Sequence, residues 1–556
     1  MRSPRYPQAY LVIALGLCAT ILGACTPSVE PEDPVVPTTA IPIPTAVEPT
    51  ETAFQPLAPT STAVHVRVWL SPALPAALRE PLEALASDRK LGVELVDDAA
   101  SAQLRVEPNP EIPISTWVYA FVAPFPTVQD GGSLDGLRGV WATVGSPAVQ
   151  VFASASTAAA MEGILGQASD DGVPIFSEEV LLDKAWDGRP SFAIVPFEDL
   201  EPRWKVLEID GDSPIRKTFD PMVYPLVVIF GLSGEPSAIA SVSEALNWPA
   251  TNRDPNRLTV LVMTGTTALT RTTAWKMDLY GATYPGELIG YWLAEADLAH
   301  VSNEVAFTET CPPPDPFQDD LLFCSSVRHL DLLKVIGVDL IELTGNHVMD
   351  WGAEAFLESL ELFHKNGWVT FGGGKDLDAS WMPALFEHNG NRLGFLGCNA
   401  AGPERAWATY SSPGAAPCDF DRLSSGIAYL LEEGYLPVIT FQWAEGAIVL
   451  PAQRVAFRDV VDAGAVIVSG SQAHQPLGME FYGNAFIHYG LGNLFFDQMQ
   501  SLRLREELID RHVFYDGKHI STELLTAILE DYAQPRPMTP TMRARFLGDI
   551  FTVSGW

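Results

Sequence analysis

Positive charge is scarce in this sequence. Its 34 Lys and Arg residues stand against 69 Asp and Glu residues, which gives a formal net charge of −35 at pH 7. Such a surface repels nucleic acid and anionic headgroups, because nothing offsets the phosphate charge. The composition therefore excludes nucleic acid as a partner and suits a solvated protein outside the cytoplasm. It also argues against a polyanionic ligand, unless a bound cation or a local basic patch intervenes.

The N-terminal apolar run is too short to span a bilayer. It extends from Tyr10 to Gly23, after Arg2 and Arg5, whereas a spanning helix needs about 20 residues. This pattern predicts a signal peptide over residues 1–24. Its end, Leu-Gly-Ala-Cys25, resembles a bacterial lipobox, so we expect a palmitate-type lipid on Cys25. An ordinary signal peptide with a chance cysteine, or an uncleaved anchor, is the alternative. Lipidation would hold an exported protein on the extracytoplasmic face of the cell membrane.

A segment without periodic apolar residues follows. Residues 25–63 are rich in Pro, Thr and Glu and cannot bury enough surface to fold, which predicts an extended tether. The 556 residues exceed one ordinary domain. We predict two independently folding α/β bodies, at residues 64–248 and 256–534, and a C-terminal tail at 535–556.

No C-x-x-C pair occurs among the six cysteines, so their spacing does not indicate a zinc site. Beyond Cys18 in the signal peptide and Cys25, four remain, and in an oxidising compartment an even number favours disulfides. Of the three possible connectivities, the local pairs are the simplest. They are Cys311 with Cys324 and Cys398 with Cys418.

The first region, 64–248, alternates strand-like and helix-like runs. The pattern predicts a small α/β domain with a largely parallel sheet. No nucleophile, metal cluster or glycine-rich phosphate loop stands out. The stretch Tyr119–Pro126, followed by Ser-Leu-Asp-Gly-Leu-Arg at 133–138, weakly resembles periplasmic solute-binding proteins. A solute-binding module and a purely structural domain are both open.

In the second region, 256–534, apolar strands repeatedly end in polar motifs. Four such ends lead into Thr264-Gly-Thr266, Thr344-Gly-Asn-His347, Gln442-Trp443 and Ser469–His474. Ligands of open α/β sheets gather at the carboxyl ends of the strands. We therefore expect these side chains to share one site.

The same residues carry a family resemblance. The stretch 331–352 has a helix, a strand and then Asn346-His-x-x-Asp-x-Gly352, which resembles the signature of the CapA family of capsule-synthesis proteins. Gly372-Gly-Gly374, Asp462-Ala-Gly464 and the segment Phe486–Asp497 are similar to further family motifs, in the same order. Asn303-Glu304 stands where the family has Asn-Leu-Glu.

The resemblance implies a fold and a role. The CapA family is related to calcineurin-like metallophosphoesterases, which implies a four-layer α/β sandwich for the second region. It also implies work in making or attaching a poly-γ-glutamate-like capsule or surface polymer, with that polymer or the capsule machinery as partner. Relatives in the superfamily hold two metals that activate a water molecule. The alternative is a non-catalytic protein that binds an envelope polymer or a solute.

Several positions depart from the family pattern. Thr266 replaces an Asp, Gln442 replaces the His of a His-Trp-Gly motif, and Gln472 replaces the first His of a His-x-His motif. Those three positions and Asn303 are expected to line the site. The remaining ligand set is Glu304, Asn346, His347 and His474, of which the last three are the candidate catalytic residues. This set predicts one divalent metal (Mn, Fe or Zn) or none, and weak or absent phosphoesterase activity.

Other polar residues receive ordinary interpretations. Asp350 is expected to cap or orient the helix after the His motif, Glu445 to be a solvated loop charge, and His488 to be a core residue. The remaining histidines show no cluster in the sequence and are expected at the surface. They are His65, His300, His329, His364, His388, His512 and His519.

Overall fold

The computed structural model describes residues 65–88, 92–143, 149–169 and 172–556. The predicted signal peptide, Cys25 and the whole predicted tether, residues 1–63, lie outside the described residues. Within the described part of the chain, no helix combines the length and the apolar character needed to cross a membrane.

The first region contains one large mixed sheet with flanking helices and one small sheet of two strands. Its strands are β1 Val66–Leu70, β2 Val93–Leu95, β3 Leu104–Pro108, β4 Ile112–Pro124, β5 Gly131–Gly132, β6 Gln150–Phe152, β7 Ser191–Pro196, β8 Trp204–Val206, β9 Glu208–Ile209 and β10 Val227–Gly234. Its helices are α1 Ala76–Ser87, α2 Leu134–Trp141, α3 Ala155–Leu165, α4 Glu178–Asp187 and α5 Pro236–Ser243.

The expectation of a largely parallel sheet is wrong for this region. The strand order is β2-β1-β3-β10-β4-β7-β6, with β8 paired to β4. β1 is parallel to both of its neighbours, but β10 is antiparallel to β3 and β4, and β4 is antiparallel to β7. The alternation of strands and helices does not fix strand direction. The last strand of the region inserts between two earlier ones and makes the centre antiparallel.

The second region has two further large sheets and two small sheets of two strands each. Its strands are β11 Leu258–Met263, β12 Thr266–Thr267, β13 Leu298–Asn303, β14 Ala306–Phe307, β15 Cys324–Ser325, β16 Leu340–Glu342, β17 Val369–Phe371, β18 Gly373–Gly374, β19 Ala384–His388, β20 Asn391–Asn399, β21 Gly414–Ala415, β22 Leu436–Gln442, β23 Ile467–Ser471, β24 Met479–Tyr482, β25 Ala485–His488, β26 Glu506–Tyr515, β27 Lys518–Glu530 and β28 Gln534–Pro537. Its helices are α6 Arg271–Tyr280, α7 Tyr291–Ala294, α8 Leu330–Val335, α9 Gly352–Lys365, α10 Leu377–Ser380, α11 Phe420–Glu432, α12 Pro451–Asp462, α13 Leu502–Arg505 and α14 Pro540–Val553.

These elements form the four-layer sandwich that the family resemblance implied. One sheet runs β17-β16-β13-β11-β26-β27-β28 and the other β19-β20-β22-β23-β25-β24. Side chains such as Leu261, Phe371 and Phe395 form the core between the two sheets. Helices α8 and α9 pack on the outer face of the first sheet, and α11 and α12 on the outer face of the second. Because β11 lies in the middle, all six of its residues are buried, as its continuous apolar run predicts.

The two regions share their hydrophobic cores. Leu258, Val260 and Val513 of the second region belong to the core cluster of the first. In the other direction, Phe125 packs among the C-terminal helix and sheet of the second region. The segment 535–556, set apart in the sequence as a tail, contributes helix α14 to that same cluster. Residues from Ala63 to Trp556 therefore form one compact unit.

Both disulfides follow the local pairing. Cys311 is bonded to Cys324, and Cys398 is bonded to Cys418, with 13 and 20 residues of sequence separation. In the chain-entropy description, closing loops of this size stabilises the fold by about 3 kcal/mol each. In each pair, one cysteine is directly adjacent in sequence to a residue that contacts the candidate functional site.

Candidate functional site

The predicted site residues follow the carboxyl ends of neighbouring strands. β11, β13 and β16 are parallel in the first sheet, and β20, β22 and β23 are parallel in the second. In the first sheet, Glu304 follows β13, and Asn346 and His347 follow β16. In the second sheet, Gln442 ends β22, and Gln472 and His474 follow β23. Because the two sheets face each other, these ends meet at one edge of the sandwich.

The side-chain amide of Gln442 lies at the point where the site residues converge. Its Nε2 donates toward both carboxylate oxygens of Glu304, at 3.1 and 3.2 Å, and toward Asn346 Oδ1 at 3.1 Å. Gln472 Oε1 is a further close acceptor of the same nitrogen. Glu304 and Gln442 are fully buried. The structure thus brings together four residues that are far apart in the sequence.

Two histidines flank this cluster, and each is oriented by a hydrogen bond at Nδ1. His347 Nδ1 is 2.5 Å from Asp350 Oδ2, and His474 Nδ1 is 2.9 Å from Asn493 Oδ1. An ionised carboxylate and an amide oxygen only accept, so both Nδ1 atoms carry a proton, and Nε2 is the ring atom at which each histidine gains or loses its second proton. Asp350, expected to cap or orient a helix, therefore orients the His347 ring instead.

The charges of the cluster are strongly coupled. Burial raises the pKa of the Glu304 carboxyl, although the nearby His347 and His474 act in the opposite direction. Burial works against protonation of His347, but its hydrogen bond to Asp350 and the charge of Glu304 outweigh this and raise its pKa. Glu445 lies 3.7 Å from His474 Nε2, and this imidazole lowers the pKa of the Glu445 carboxyl. Glu445 also accepts from Gln472 Nε2 at 3.3 Å, so it is a neighbour of the site.

The local backbone is unusual where the site requires it. Gln472 and His474 have φ values of 79° and 57°, a conformation that residues other than glycine rarely adopt. At Gly345 a Cβ atom would lie 2.8 Å from the carbonyl oxygen of Asn303. The loop that carries Asn346 and His347 can therefore lie directly against Glu304 only because position 345 is glycine.

Two predicted lining residues do not reach the Gln442 cluster by any hydrogen bond among the described residues. Asn303 donates from Nδ2 to the carbonyl of Val305 at 2.8 Å. Thr266 is fully buried, its backbone N–H donates to the carbonyl of Gly492, and its hydroxyl has no partner within the described part of the chain. Both lie on the paired strands β12 and β13, where Thr266 pairs with Ser302 and Thr267 with Asn303, and Glu304 directly follows β13.

Sequence reasoning missed a cation beside the two histidines. The Arg271 guanidinium lies 5.0 Å from the ring centres of both Phe323 and Phe496 and forms an ion pair with Asp497. The Phe323 ring is 4.6 Å from that of His347, and the Phe496 ring is 5.4 Å from that of His474. No motif marks Arg271, but Phe496 and Asp497 end the family-like segment, and that was the available signal.

The expectation that the other histidines are surface residues is wrong for His300, His329 and His512, which are buried. His300 Nε2 is 3.2 Å from Glu342, and His329 Nε2 is 2.9 Å from Asp278. His488, expected in the core, is buried and lies 2.6 Å from Asp510. Each of these pairs joins strands or helices that are distant in sequence. The sequence around a single histidine therefore does not predict its partner or its burial.

The donor set does not fit a metal centre of the superfamily type. Within the described ranges, no three His, Cys, Asp or Glu side chains are grouped as a metal ion would need. The side-chain oxygens of Glu304 and Asn346, which could serve as metal ligands, instead accept hydrogen bonds from the amide nitrogen of Gln442.

The sandwich and its strand-end site define a domain of metallophosphoesterase type. Residues 260–498 match the family described as "Bacterial capsule synthesis protein PGA_cap". The chain therefore carries a domain of this capsule-synthesis family, which confirms the resemblance to CapA.

Relatives with established descriptions are similar over part of the chain. The capsule biosynthesis protein CapA of Bacillus anthracis is 24% identical over 303 residues, which are 53% of this chain and 72% of that protein. The PGA biosynthesis protein CapA of Bacillus subtilis is 27% identical, over 34% of this chain and 50% of that protein. The chain thus spans only about half the length of the second relative.

A solved structure also aligns with the chain. It is an ABC-type phosphate transport receptor from Vibrio cholerae, with 10% identity and a TM-score of 0.26, covering 32% of this chain and 91% of that one. At this score the solute-binding resemblance of residues 64–248 stays a prediction.

Proposed function

We propose that this protein takes part in making or attaching a surface polymer of poly-γ-glutamate type. The observation that carries the proposal is the PGA_cap domain at residues 260–498, together with relatives described as capsule and PGA biosynthesis proteins. We further propose that the site binds the polymer or a partner and does not hydrolyse phosphoesters with two metals. The Gln442 amide at the centre of the cluster supports this, because the oxygens that could ligate a metal there surround its Nε2 instead.

The residues themselves can bind and orient. In their neutral form, His347 and His474 offer Nε2 as a hydrogen-bond acceptor, and the exposed Arg405 beside Asp350 offers a cation to an anionic group. The strongly negative chain repels a polyanion, and this local positive charge offsets part of that repulsion. The rings of Phe323 and Phe496 pack against those of His347 and His474 and help to keep the two imidazoles in place.

Deletion of the gene in its host is expected to lower surface-bound poly-glutamate several-fold, with restoration by the wild-type chain. A chain with His347→Ala is expected to fail, because it loses the imidazole that Asp350 orients. His364→Ala is the matched control, since His364 is an exposed residue of α9. Glutamate released by acid hydrolysis of washed cells measures the polymer, and immunoblotting confirms equal amounts of protein. Unchanged polymer after deletion would contradict the proposal.

We also propose that a lipid on Cys25 anchors the chain to the membrane. Cys25 lies outside the described residues, and the lipobox-like sequence supports the proposal. Cys25→Ser is expected to move the protein from the membrane fraction to the soluble fraction and to abolish fatty-acid labelling. Cys18→Ser, inside the signal peptide, is expected to change neither. Persistent labelling of the Cys25 variant would show that the lipid is elsewhere.

A further inference from the structure

The oxygen atoms around Gln442 Nε2 form a cage of the kind that holds a hard cation. The cage consists of the Glu304 carboxylate, Asn346 Oδ1 and Gln472 Oε1. Carboxylate and amide oxygens are the ligands that Mg²⁺, Ca²⁺ and Mn²⁺ prefer. The cage centre, however, is taken by a neutral nitrogen of the protein itself.

The hydrogen-bond count shows that this nitrogen is an incomplete substitute. A primary amide has two N–H groups, whereas four oxygen atoms face Nε2. At least two acceptors therefore share or lack a proton, in a place where Glu304 is fully buried. A cation would serve all four, and it would draw them from about 3 Å to coordination distances of about 2.0–2.6 Å.

A second contact fixes the direction of the amide. The Ser471 hydroxyl donates to Gln442 Oε1, on the side away from the cage. Turning the amide over would place Oε1 against the oxygens of Asn346 and Gln472, which repel it. The sequence of β22 and β23 thus sets the nitrogen, and not the oxygen, at the cage centre.

We propose that the Gln442 amide occupies a cation position as a built-in replacement, so that this single side chain closes the cage to divalent metal. The inference deepens the proposed function, since both concern the same site. It predicts a gain: removing the amide nitrogen should create metal affinity that the wild-type chain lacks.

Gln442→Glu is the sharpest variant, because it keeps the shape of the side chain and turns the central N–H₂ into an oxygen. Its carboxylate then lies against that of Glu304, and the two repel each other until a cation binds. We expect MnCl₂ to raise the unfolding temperature of the metal-stripped variant by about 2 °C or more, and to leave the wild type unchanged. If the variant is unfolded without metal, recovery of its circular dichroism on adding MnCl₂ is the same result.

Gln442→His is the second variant, and isothermal titration with MnCl₂ and ZnCl₂ is its readout. We expect affinity about tenfold or more above that of the wild type, lost again when Glu304→Gln is added. Gln475→Glu is the control, because Gln475 is nearby but donates to the carbonyl of Gly446 and not into the cage. It should gain no metal response.

Two outcomes would overturn the inference. In the first, the wild type shows the same MnCl₂ response as Gln442→Glu. In the second, neither Gln442 variant gains affinity although both are folded. The host-strain polymer assay is independent of these results, so failure of the proposed function would appear there and not in the metal titration.

Discussion

Replacing Glu507 with glutamine is expected to stabilise the folded protein at neutral pH, by an amount that grows with pH. Glu507 lies on β26, is fully buried, and neither of its carboxylate oxygens has a hydrogen-bond partner among the described residues. Burial alone raises the pKa of this carboxyl well above its ordinary value of 4.5. In the folded protein the group therefore stays protonated over a pH range in which the unfolded chain releases the proton.

The sign of the effect follows from proton linkage. Above pH 4.5 the unfolded wild type gains stability from ionisation that the folded form cannot match, so the free energy of unfolding falls as pH rises. The difference between Glu507→Gln and wild type should be near zero around pH 4 and grow by at most about 1.4 kcal/mol per pH unit above pH 4.5, for as long as the folded carboxyl keeps its proton. Urea unfolding at several pH values measures it. Glu94→Gln, at an exposed position of β2, should run parallel to wild type. Parallel curves for the Glu507 variant would show that its carboxyl is ionised or paired.

Phe125→Ala should lower the free energy of unfolding by about 3 to 5 kcal/mol. Phe125 is 2% exposed, and its ring centre lies 5.1 to 6.4 Å from those of Phe481, Phe486, Phe551 and Trp556. It belongs to the first region, whereas these four rings belong to the second. Truncation therefore removes apolar contact that joins the two regions and leaves a cavity between them.

The same experiment tests whether the regions fold independently. With a shared core we expect one cooperative transition, by fluorescence and by circular dichroism, that shifts as a whole in Phe125→Ala. Phe317→Ala, at a side chain that is 89% exposed, should change stability by less than about 0.5 kcal/mol. Two separate transitions, of which the substitution moves one or neither, would instead favour the independent bodies that the sequence suggested.

The elements that the sequence predicted best are those with a local signal. Strands β7 and β11 are rich in apolar residues and buried along almost their whole length, and such a run marks a buried strand in the sequence. Helix α9 begins at Gly352, the last residue of the Asn-His-x-x-Asp-x-Gly motif, and the φ of 85° there suits glycine. Polar residues after strand ends pointed to the site because parallel strands bring their carboxyl ends together.

What the sequence did not reveal depends on pairs far apart in the chain. Strands β26 and β27 were not predicted. In β26, the buried residues Glu507, Asp510 and His512 are polar, so its sequence resembles that of an exposed segment. The contact between Gln442 and Glu304 spans 138 residues, and that between Arg271 and Asp497 spans 226. Composition and periodicity do not predict contacts between residues so far apart in the chain. The central position of Gln442 in the cluster could therefore be recognised only from the three-dimensional structure.

The two disulfides lie next to residues that contact the candidate site, so the order of the site depends on when the disulfides form. Phe323, next to Cys324, donates its backbone N–H to Asp350 Oδ2 at 3.1 Å, and its ring lies against that of His347. Asn399, next to Cys398, donates to the carbonyl of Thr344 in the loop that carries Asn346. A chain in which these four cysteines are reduced has the same residues but lacks both cross-links beside them. The final order of the candidate site should therefore depend on oxidation, so that the site is complete only after the chain meets an oxidising environment.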